Sequence, residues 1–164
     1  MTNSAHTSSG DTLSNTGPEA LPHALNTVLA DSFALYLKTK NFHWHVSGPH
    51  FRSHHLMFDD QATQILDVTD AIAERVRKAG HATLRSIGDV ARHQTIRDND
   101  ASRVHAGDML AELREDNLAL VAALRQVKVL ADAAQDNATS GSIDGWIDQA
   151  EQRAWFLLEA GSVA

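Results

Sequence analysis

Residues 52–78 read RSHHLMFDDQATQILDVTDAIAERVRK, and apolar side chains recur along this stretch at intervals of three and four residues. That spacing is the period of an α-helix with one buried face, so the stretch predicts a long amphipathic helix. Pro49 precedes it and Gly80 follows it, as is typical of the residues that flank a helix. The same period recurs in most of the remaining chain, which indicates an all-helical protein.

Three further stretches show the helical period, and they cover residues 22–46, 103–134 and 142–160. Ser47-Gly48-Pro49 and the polar run 136–141 interrupt the pattern between long helices. The connection over residues 81–100 is long enough for a short helix, which we predict over residues 84–91. Four long helices with one long middle connection predict an all-α, ferritin-like four-helix bundle with a short helix in the crossover between helices 2 and 3.

The first 21 residues differ in composition from the rest of the chain. They are rich in Ser, Thr, Asn and Gly and show no apolar period, so residues 1–21 are predicted to form a flexible or surface-hugging tail. Residues 22–164 then form one bundle domain, which is a usual size for a single hydrophobic core.

The composition of the 164 residues excludes several kinds of site. The chain has no cysteine, which excludes disulfides, cysteine-ligated zinc and iron–sulfur clusters. No run of about eighteen apolar residues is present, so no transmembrane helix is expected. The N-terminus lacks the apolar core of a secretory signal, and a cytoplasmic location is expected. The net charge of -7 argues against a surface that generally attracts nucleic acid.

Histidine is the first indication of chemistry. The chain has ten histidines, of which five lie between residues 43 and 55. Leu29, Tyr36 and His43 are seven residues apart, so they share one face of the first helix, and that face is apolar. His43 is therefore predicted to point at packed surface rather than into open water.

The second helix carries carboxylates in addition to histidine. His55 lies on the apolar stripe of this helix, and Asp59 lies at the edge of the same stripe. Asp70 and Glu74 form an i,i+4 pair on the flank of the helix. Imidazole together with carboxylate oxygen suits Fe, Mn or Zn, so these residues predict a site for a divalent metal.

Geometry requires two chains for this site. His55 and Asp70 are separated by about 22 Å along one helix, so they cannot bind the same ion within one chain. A second copy of the helix, packed antiparallel about a two-fold axis between Ala62 and Thr63, brings the two ends together. The predicted site then combines ligands of one subunit, His43, His55 and Asp59, with ligands of its partner, Asp70 and Glu74.

A negative observation supports the shared site. Di-iron proteins that build the metal centre inside one bundle carry Glu-x-x-His motifs on two helices. No Glu in this sequence is followed by His three residues later. The ligands of an ordinary centre within one bundle are therefore missing.

The residues around the predicted site form a longer pattern. It reads KNFHWHV over residues 40–46, followed by Gly48-Pro49-His50-Phe51, His55, Phe58-Asp59, Asp67, Asp70 and Ala73-Glu74-Arg75. In these residues and their spacing the chain resembles the Dps family, the mini-ferritins that are also called starvation-induced DNA-binding proteins. The resemblance covers roughly residues 22–160.

The resemblance implies a function as well as a fold. It implies four-helix subunits in a hollow dodecamer that stores iron and protects against oxidative damage. It also implies a ferroxidase, in which two Fe(II) ions are oxidised together at each dinuclear interfacial site, usually with hydrogen peroxide. His43, His55, Asp59, Asp70 and Glu74 match the family's ferroxidase pattern. Trp44 resembles a family residue thought to intercept stray oxidising equivalents.

Two other functions remain open at this point. The first is a DNA-binding nucleoid protein, but residues 1–37 contain neither Lys nor Arg, whereas DNA-binding relatives commonly use a basic tail. A local basic patch could still form from Arg75, Arg77, Lys78, Arg85, Arg92, Arg97 and Arg103. The second is a shell that holds zinc or manganese without oxidation, because the same ligands serve several metals.

Several residues also have plainer interpretations. Asp59 either bridges or supports the metal ligands, and Asp67 supports them from further out. Trp44 can equally be a core or interface aromatic residue. We expect no metal ligation by His45, His50 or His54, and a packing role for Trp146 and Trp155. Three acids, each of which could instead cap a helix or face solvent, are candidates for an iron-entry pore near a three-fold axis: Asp136, Asp144 and Asp148.

Overall fold

The computed structural model describes residues 17–162, and within that range it is built from five α-helices with no strand. The helices are α1 (Ala20–His45), α2 (Phe51–Lys78), α3 (Ile87–His93), α4 (Ala106–Ala133) and α5 (Asn137–Gly161). The four long helices form a bundle and α3 lies in the crossover between α2 and α4, which confirms the predicted fold class. None of the described helices is long and apolar enough to cross a membrane.

The core lies where the apolar stripes of the four long helices meet. α1 packs mainly along α2 and α4 along α5, while α1 also contacts α4 and the short α3. Each long helix contributes large side chains that are almost completely buried, among them Leu35, Phe58, Leu113 and Ile143. Burial of one such side chain contributes about 1.5–3 kcal/mol, so the stripes rather than helix propensity hold the bundle together.

The first helix begins two residues before the predicted start at Pro22. Ala20 and Leu21 are buried against the bundle, so they belong to α1 and not to the tail. Pro22 is tolerated because the first turn of a helix has no intrahelical partner for its N–H groups. The rest of the predicted tail, residues 1–16, lies outside the described residues.

The start of the last helix was predicted wrongly. α5 begins at Asn137, five residues before the predicted start, because Asp136 caps the helix. The Asp136 carboxylate accepts the backbone N–H of Thr139 at 3.0 Å. Gln135, with φ of 56°, reverses the chain just before the cap. The polar run that seemed to interrupt the pattern is therefore a short turn followed by a capped first turn of helix.

Two other helices begin later than predicted. The crossover helix covers Ile87–His93 instead of 84–91, because the Ser86 hydroxyl caps it by accepting the Asp89 N–H. α4 begins at Ala106 instead of 103, with His105 in the extended backbone conformation just before it. A side-chain cap therefore decides where α3 starts, and the extended backbone at His105 decides where α4 starts; the apolar period decides neither.

Asp136→Ala is expected to lower the free energy of unfolding by about 1–2 kcal/mol at neutral pH, because it removes a helix cap and an ion pair with Arg75. Burial opposes ionisation, yet hydrogen bonds from Thr139 and Arg75 hold the pKa of Asp136 below its ordinary value. Since the folded pKa is the lower one, this stabilisation is present above about pH 4 and is lost as the pH falls further.

Denaturant unfolding at fixed protein concentration from pH 7 to pH 3 measures this effect. The difference between the wild type and Asp136→Ala should shrink toward the acid end of the range. Asp148→Ala is the matched control, because Asp148 is an exposed acid on the same helix without an ion pair among the described residues. An equal loss of stability in both variants would contradict the capping role.

Lys38 is a buried cation of the bundle that is paired with two acids. It lies on the buried side of α1, where its ammonium group contacts Glu112 at 2.9 Å and Asp116 at 2.7 Å on α4. Burial raises the pKa of Asp116, although the hydrogen bond from Lys38 opposes this effect. The first basic residue of the chain is therefore part of the subunit interior and is not available to bind a phosphate backbone.

The apolar side of α5 is only partly covered. Trp146 packs against the core as predicted, whereas Trp155 is 57% exposed, so the packing role predicted for it is not met among residues 17–162 of one subunit. Phe156 and Leu158 beside it are also exposed. This part of α5 is apolar by sequence, yet no other helix within residues 17–162 covers it.

Candidate metal site

Two histidines from different helices hold each other in place. Near the end of α1, Nδ1 of His43 lies 2.7 Å from the backbone carbonyl oxygen of His55. Near the start of α2, Nδ1 of His55 lies 2.8 Å from the carbonyl oxygen of His43. The two rings stack with their centroids 3.8 Å apart. This reciprocal pair follows from the tight turn between α1 and α2, which brings the two helix ends side by side.

The hydrogen bonds decide which ring nitrogens are free. A carbonyl oxygen can only accept, so Nδ1 of each neutral ring must carry the proton and donate it. Nε2 of both His43 and His55 is then left with its lone pair. Histidines that bind metals commonly donate their other ring N–H to a carbonyl or a carboxylate in this way. The pair is therefore oriented and protonated as metal ligands require.

Asp59 lies next to this histidine pair and already forms an ion pair with Lys40. Its Oδ1 is 3.9 Å from Nε2 of His43 and 2.6 Å from Nζ of Lys40. The hydrogen bond from Lys40 is the main reason that the pKa of Asp59 lies below its ordinary value. The carboxylate is thus ionised at neutral pH. The sequence prediction overlooked Lys40, although its place three residues before His43 puts both on one side of α1.

Asp70 and Glu74 lie far from the histidines in the same chain. Both are exposed on α2, and Glu74 accepts a hydrogen bond of 2.7 Å from Lys78. This contact lowers the pKa of Glu74. Within residues 17–162 of one chain, no three His, Asp or Glu side chains are grouped closely enough to hold a metal ion. One subunit stacks His43 on His55 and places Asp59 Oδ1 3.9 Å from Nε2 of His43, but these three side chains do not converge into a metal-binding group, and the two remaining predicted ligands lie further along α2.

Comparison with known proteins identifies the family. A model of the ferritin-like domain matches residues 23–160. An uncharacterized low temperature-induced protein of Nostoc sp. is 36% identical over 134 residues, which are 81% of this chain and 75% of that protein. A DNA protection during starvation protein of Brevibacillus brevis is 30% identical over 133 residues, covering 81% of this chain and 89% of the relative.

Solved structures agree. The crystal structure of a Dps protein from Bacillus brevis matches with a TM-score of 0.84 at 28% identity, covering 88% of this chain and 97% of that one. This chain belongs to the Dps family of ferritin-like proteins. The resemblance stated from the His-Trp to Ala-Glu-Arg segment is thereby confirmed.

Trp44 of this Dps-family chain lies at the rim of the histidine pair. It is 58% exposed, so it is not a core residue of the subunit. The ammonium group of Lys40 lies 5.8 Å from the centre of its ring, within the range of a cation–π contact. The two remaining interpretations are an interface aromatic residue and a redox role beside the metal ligands.

The neighbouring histidines differ among themselves. His45 is exposed and its Nδ1 contacts the Asn41 carbonyl, while His50 precedes the first turn of α2 without capping it. His54 is buried against Phe58, and its Nδ1 has no partner among the described residues. Burial lowers the pKa of His54. Asp67 is exposed on α2.

The three acids predicted as pore candidates have distinct surroundings in this Dps-family chain. Asp136 caps α5 and pairs with Arg75, so its plainer interpretation accounts for its position. Oδ1 of Asp144 lies 2.9 Å from Nζ of Lys128. The Asp148 side chain is exposed. The pore role remains a prediction for all three acids.

Proposed function

We propose that this Dps-family protein is a ferroxidase that oxidises Fe(II) with hydrogen peroxide and stores Fe(III) inside a hollow shell of twelve subunits. The dinuclear sites lie between subunits, with His43, His55 and Asp59 from one chain and Asp70 and Glu74 from its two-fold partner. In this proposal Asp67 acts only through neighbouring groups. The proposed setting is the cytoplasm, where such a shell would limit oxidative damage.

The hydrogen-bond geometry of the histidine pair is the observation that carries this proposal. The Nδ1 contacts leave both Nε2 atoms with free lone pairs, and the Asp59 carboxylate lies 3.9 Å from Nε2 of His43. These three side chains make up one half of the proposed ligand set, although they do not by themselves form a group that can hold a metal ion. That half alone is too small for two iron ions. The unused acids, Asp70 and Glu74, lie on the same helix at the distance that an antiparallel partner would span.

The surface of the subunit supports a two-fold partner at α2. An apolar groove of about 530 Å³ lies beside the predicted axis, with Phe33, Leu37, Leu66 and Ile87 among its lining residues. Ile87 is 81% exposed and Leu66 is 39% exposed in the isolated subunit. Leu66 follows the predicted axis by one helical turn. Contact with a second copy would cover these side chains.

The proposed chemistry needs two irons in one site. Two Fe(II) ions give up one electron each, and the O–O bond of one peroxide breaks with uptake of two protons to form two waters. This route avoids the one-electron reduction that releases hydroxyl radical. The protein contributes by holding both ions and by orienting the oxidant. Lys40 donates a hydrogen bond to Oδ1 of Asp59. When metal binds, Lys40 would have to move away, or Asp59 would have to bind the metal through its other carboxylate oxygen.

Anaerobic titration tests the proposal. The protein is loaded with Fe(II), peroxide is added in steps, and Fe(III) is followed by its near-ultraviolet absorbance. About two Fe(II) should be oxidised per peroxide, without hydroxyl radical in a spin-trapping assay. Bound metal without peroxide consumption would instead identify a shell that only holds metal, and a rate equal to that of buffer would contradict the proposal.

DNA binding is the second candidate, supported by the name of the Brevibacillus relative. We expect no salt-sensitive gel shift at neutral pH, because three of the seven candidate basic residues already pair with acids: Arg75 with Asp136, Lys78 with Glu74, and Arg92 with Asp89. Backbone phosphates are bound by free cationic groups. A strong shift that weakens between about 50 and 200 mM salt would show that this expectation is wrong.

A further inference from the structure

Asp31 is a buried carboxylate of α1 that faces the crossover between α2 and α4. The residue is 1% exposed, and it accepts three hydrogen bonds from two consecutive residues of the crossover. Oδ1 accepts the backbone N–H groups of Thr95 and Ile96, the second at 2.9 Å, and Oδ2 accepts the Thr95 hydroxyl at 2.8 Å. No ion pair among residues 17–162 involves Asp31. A buried carboxylate needs hydrogen-bond donors, and the crossover supplies them.

The two backbone donors lie in an irregular part of the chain. Thr95 and Ile96 follow the end of α3 and belong to no helix of the described chain. No helical carbonyl therefore accepts their N–H groups, and the Asp31 carboxylate takes this place. The segment after α3 is thus held against α1 by Asp31 and not by helical hydrogen bonds of its own.

Two further side chains of α1 bind the crossover on either side of this contact. Asn26 accepts the Thr83 hydroxyl at 3.0 Å near the start of the crossover, and Asn41 donates to the Asn99 carbonyl at 3.2 Å near its end. Both asparagines are neutral and only partly buried. Asp31 lies between them with three contacts to a carboxylate, which is a stronger acceptor than a neutral amide. It is therefore the main polar attachment of the crossover to α1.

The attachment joins the two walls of the apolar groove beside the predicted two-fold axis. One wall comes from α1 and includes Phe33 and Leu37, and the other comes from the crossover and includes Ile87 and Val90. Asp31 precedes Phe33 by two residues in α1, and its donors follow α3 directly. The three hydrogen bonds therefore fix the distance between the walls.

Ile87 shows why this distance matters for an interface. The residue is 81% exposed, so the core of its own subunit does not hold its side chain in place. Its position depends on where α3 lies, and α3 is attached to α1 through the segment that Asp31 binds. A partner that covers Ile87 needs it at a defined position, because interfaces are packed as closely as protein interiors.

We propose that Asp31 is a positioning residue for the two-fold interface. It holds the crossover against α1 and so keeps the groove in the shape that the partner subunit fits. None of its hydrogen bonds among the described residues involves a proposed metal ligand, so it acts on the metal site only through the interface. This inference rests on the two-fold partner of the proposed function, but it does not depend on the oxidation of iron.

Hydrogen exchange of the wild-type protein, followed by mass spectrometry at single-residue resolution, tests the attachment. The Thr95 and Ile96 amides should exchange at least about 100-fold more slowly than the Arg97 amide, which has no hydrogen-bond partner among the described residues. Asp31→Ala should remove this protection. Equal exchange at all three amides of the wild type would overturn the proposal without the need for a variant.

Dissociation of the dimer tests the positioning role. Asp31→Ala should raise the dissociation constant of the two-fold dimer by at least about tenfold, measured by analytical ultracentrifugation over a dilution series. Asp31→Asn should retain most of the affinity, because its amide oxygen still accepts both backbone N–H groups and its NH₂ group can donate to the Thr95 hydroxyl.

Ser32→Ala is the matched control. Ser32 is as deeply buried as Asp31, but its hydroxyl donates to the Val28 carbonyl within α1 and does not contact the crossover. This variant should leave the dimer unchanged. A folded Asp31→Ala protein with the wild-type dissociation constant would overturn the proposal, whether or not the protein oxidises iron. Failure of the proposed function would instead appear in the peroxide titration.

Thr95→Val covers the case in which Asp31→Ala does not fold. Thr95 is exposed overall, so the substitution is tolerated, and it removes only the hydroxyl contact to Oδ2 of Asp31. The loss of one hydrogen bond should weaken the dimer by about threefold. A dimer of unchanged affinity in Thr95→Val would contradict the positioning role.

Discussion

Asp70→Ala combined with Glu74→Ala is expected to slow peroxide-driven Fe(II) oxidation by at least about 100-fold. Both acids are exposed and lie outside the core of the subunit, so the variant should fold and assemble normally. The loss follows because the histidine pair retains only Asp59 as an acidic neighbour. Stopped-flow absorbance of Fe(III) measures the rate. Glu115→Ala is the control, since it removes an exposed acid of α4 and should leave the rate unchanged.

The complementary variant, His43→Ala with His55→Ala, should show a comparable decrease in the rate of Fe(II) oxidation. It removes both free Nε2 atoms but leaves Asp70 and Glu74 intact. The two variants therefore lack opposite halves of the proposed site. If either variant retained the wild-type rate, the assignment of its half would be wrong.

Mixing the two variants tests whether the site is shared. Random pairing makes half of the dimers mixed, and each mixed dimer has one complete site and one site that lacks the four substituted ligands and keeps only Asp59. About one quarter of the wild-type activity should therefore return in refolded mixtures, although each variant alone is nearly inactive. Ligands that acted within one chain would give no recovery, and that result would rule out the shared site.

Leu66→Arg is expected to abolish the two-fold dimer, and with it the oxidation of iron. Leu66 lies in the apolar groove beside the predicted axis, and the symmetry of the dimer introduces the new charge twice in one interface. Placing an unpaired guanidinium in an apolar contact costs several kcal/mol, and about 4 kcal/mol corresponds to a thousandfold weaker association. Native mass spectrometry and analytical ultracentrifugation measure the loss of the dimer.

The control for this variant is Leu118→Arg. Leu118 on α4 is 41% exposed, nearly the same as Leu66 at 39%, but it does not line the groove. It should leave the dimer and the oxidation rate intact. A dimer that survives Leu66→Arg would contradict the proposed position of the two-fold axis. Circular dichroism of the monomeric variant should match that of the wild type, which would show that the subunit itself still folds.

The long helices were predictable because their signal is local and repeated many times. α2 was predicted to within one residue at its start and correctly at its end. The predicted starts of α3 and α5 were wrong because a single capping hydrogen bond decides each of them, whereas α4 begins later than predicted without a side-chain cap at His105. Ser86 and Asp136 act through one hydrogen bond each, and such a bond leaves almost no trace in the apolar pattern.

The candidate site was predictable in its residue types but not in its details. Spacing along the helices indicated that His43 faces packed surface, and the structure confirms that it is buried. It did not indicate that His43 and His55 bind each other's carbonyl oxygens, or that Lys40 holds Asp59. These contacts depend on the angle between α1 and α2. The residue pattern of either helix alone does not determine that angle.

The sequence by itself therefore determined the fold class and the four long helices, and it predicted that the proposed metal site needs a second chain. These properties follow from the periodicity of apolar residues and from the distance between residues along one helix. Both quantities are available from the sequence without knowing which helix faces pack against each other. Only the tertiary structure decided which histidine nitrogens are free, which acid is already paired and where Asp31 binds the crossover. Those properties arise when side chains from different helices come into contact, so they depend on packing geometry that residue order alone does not contain.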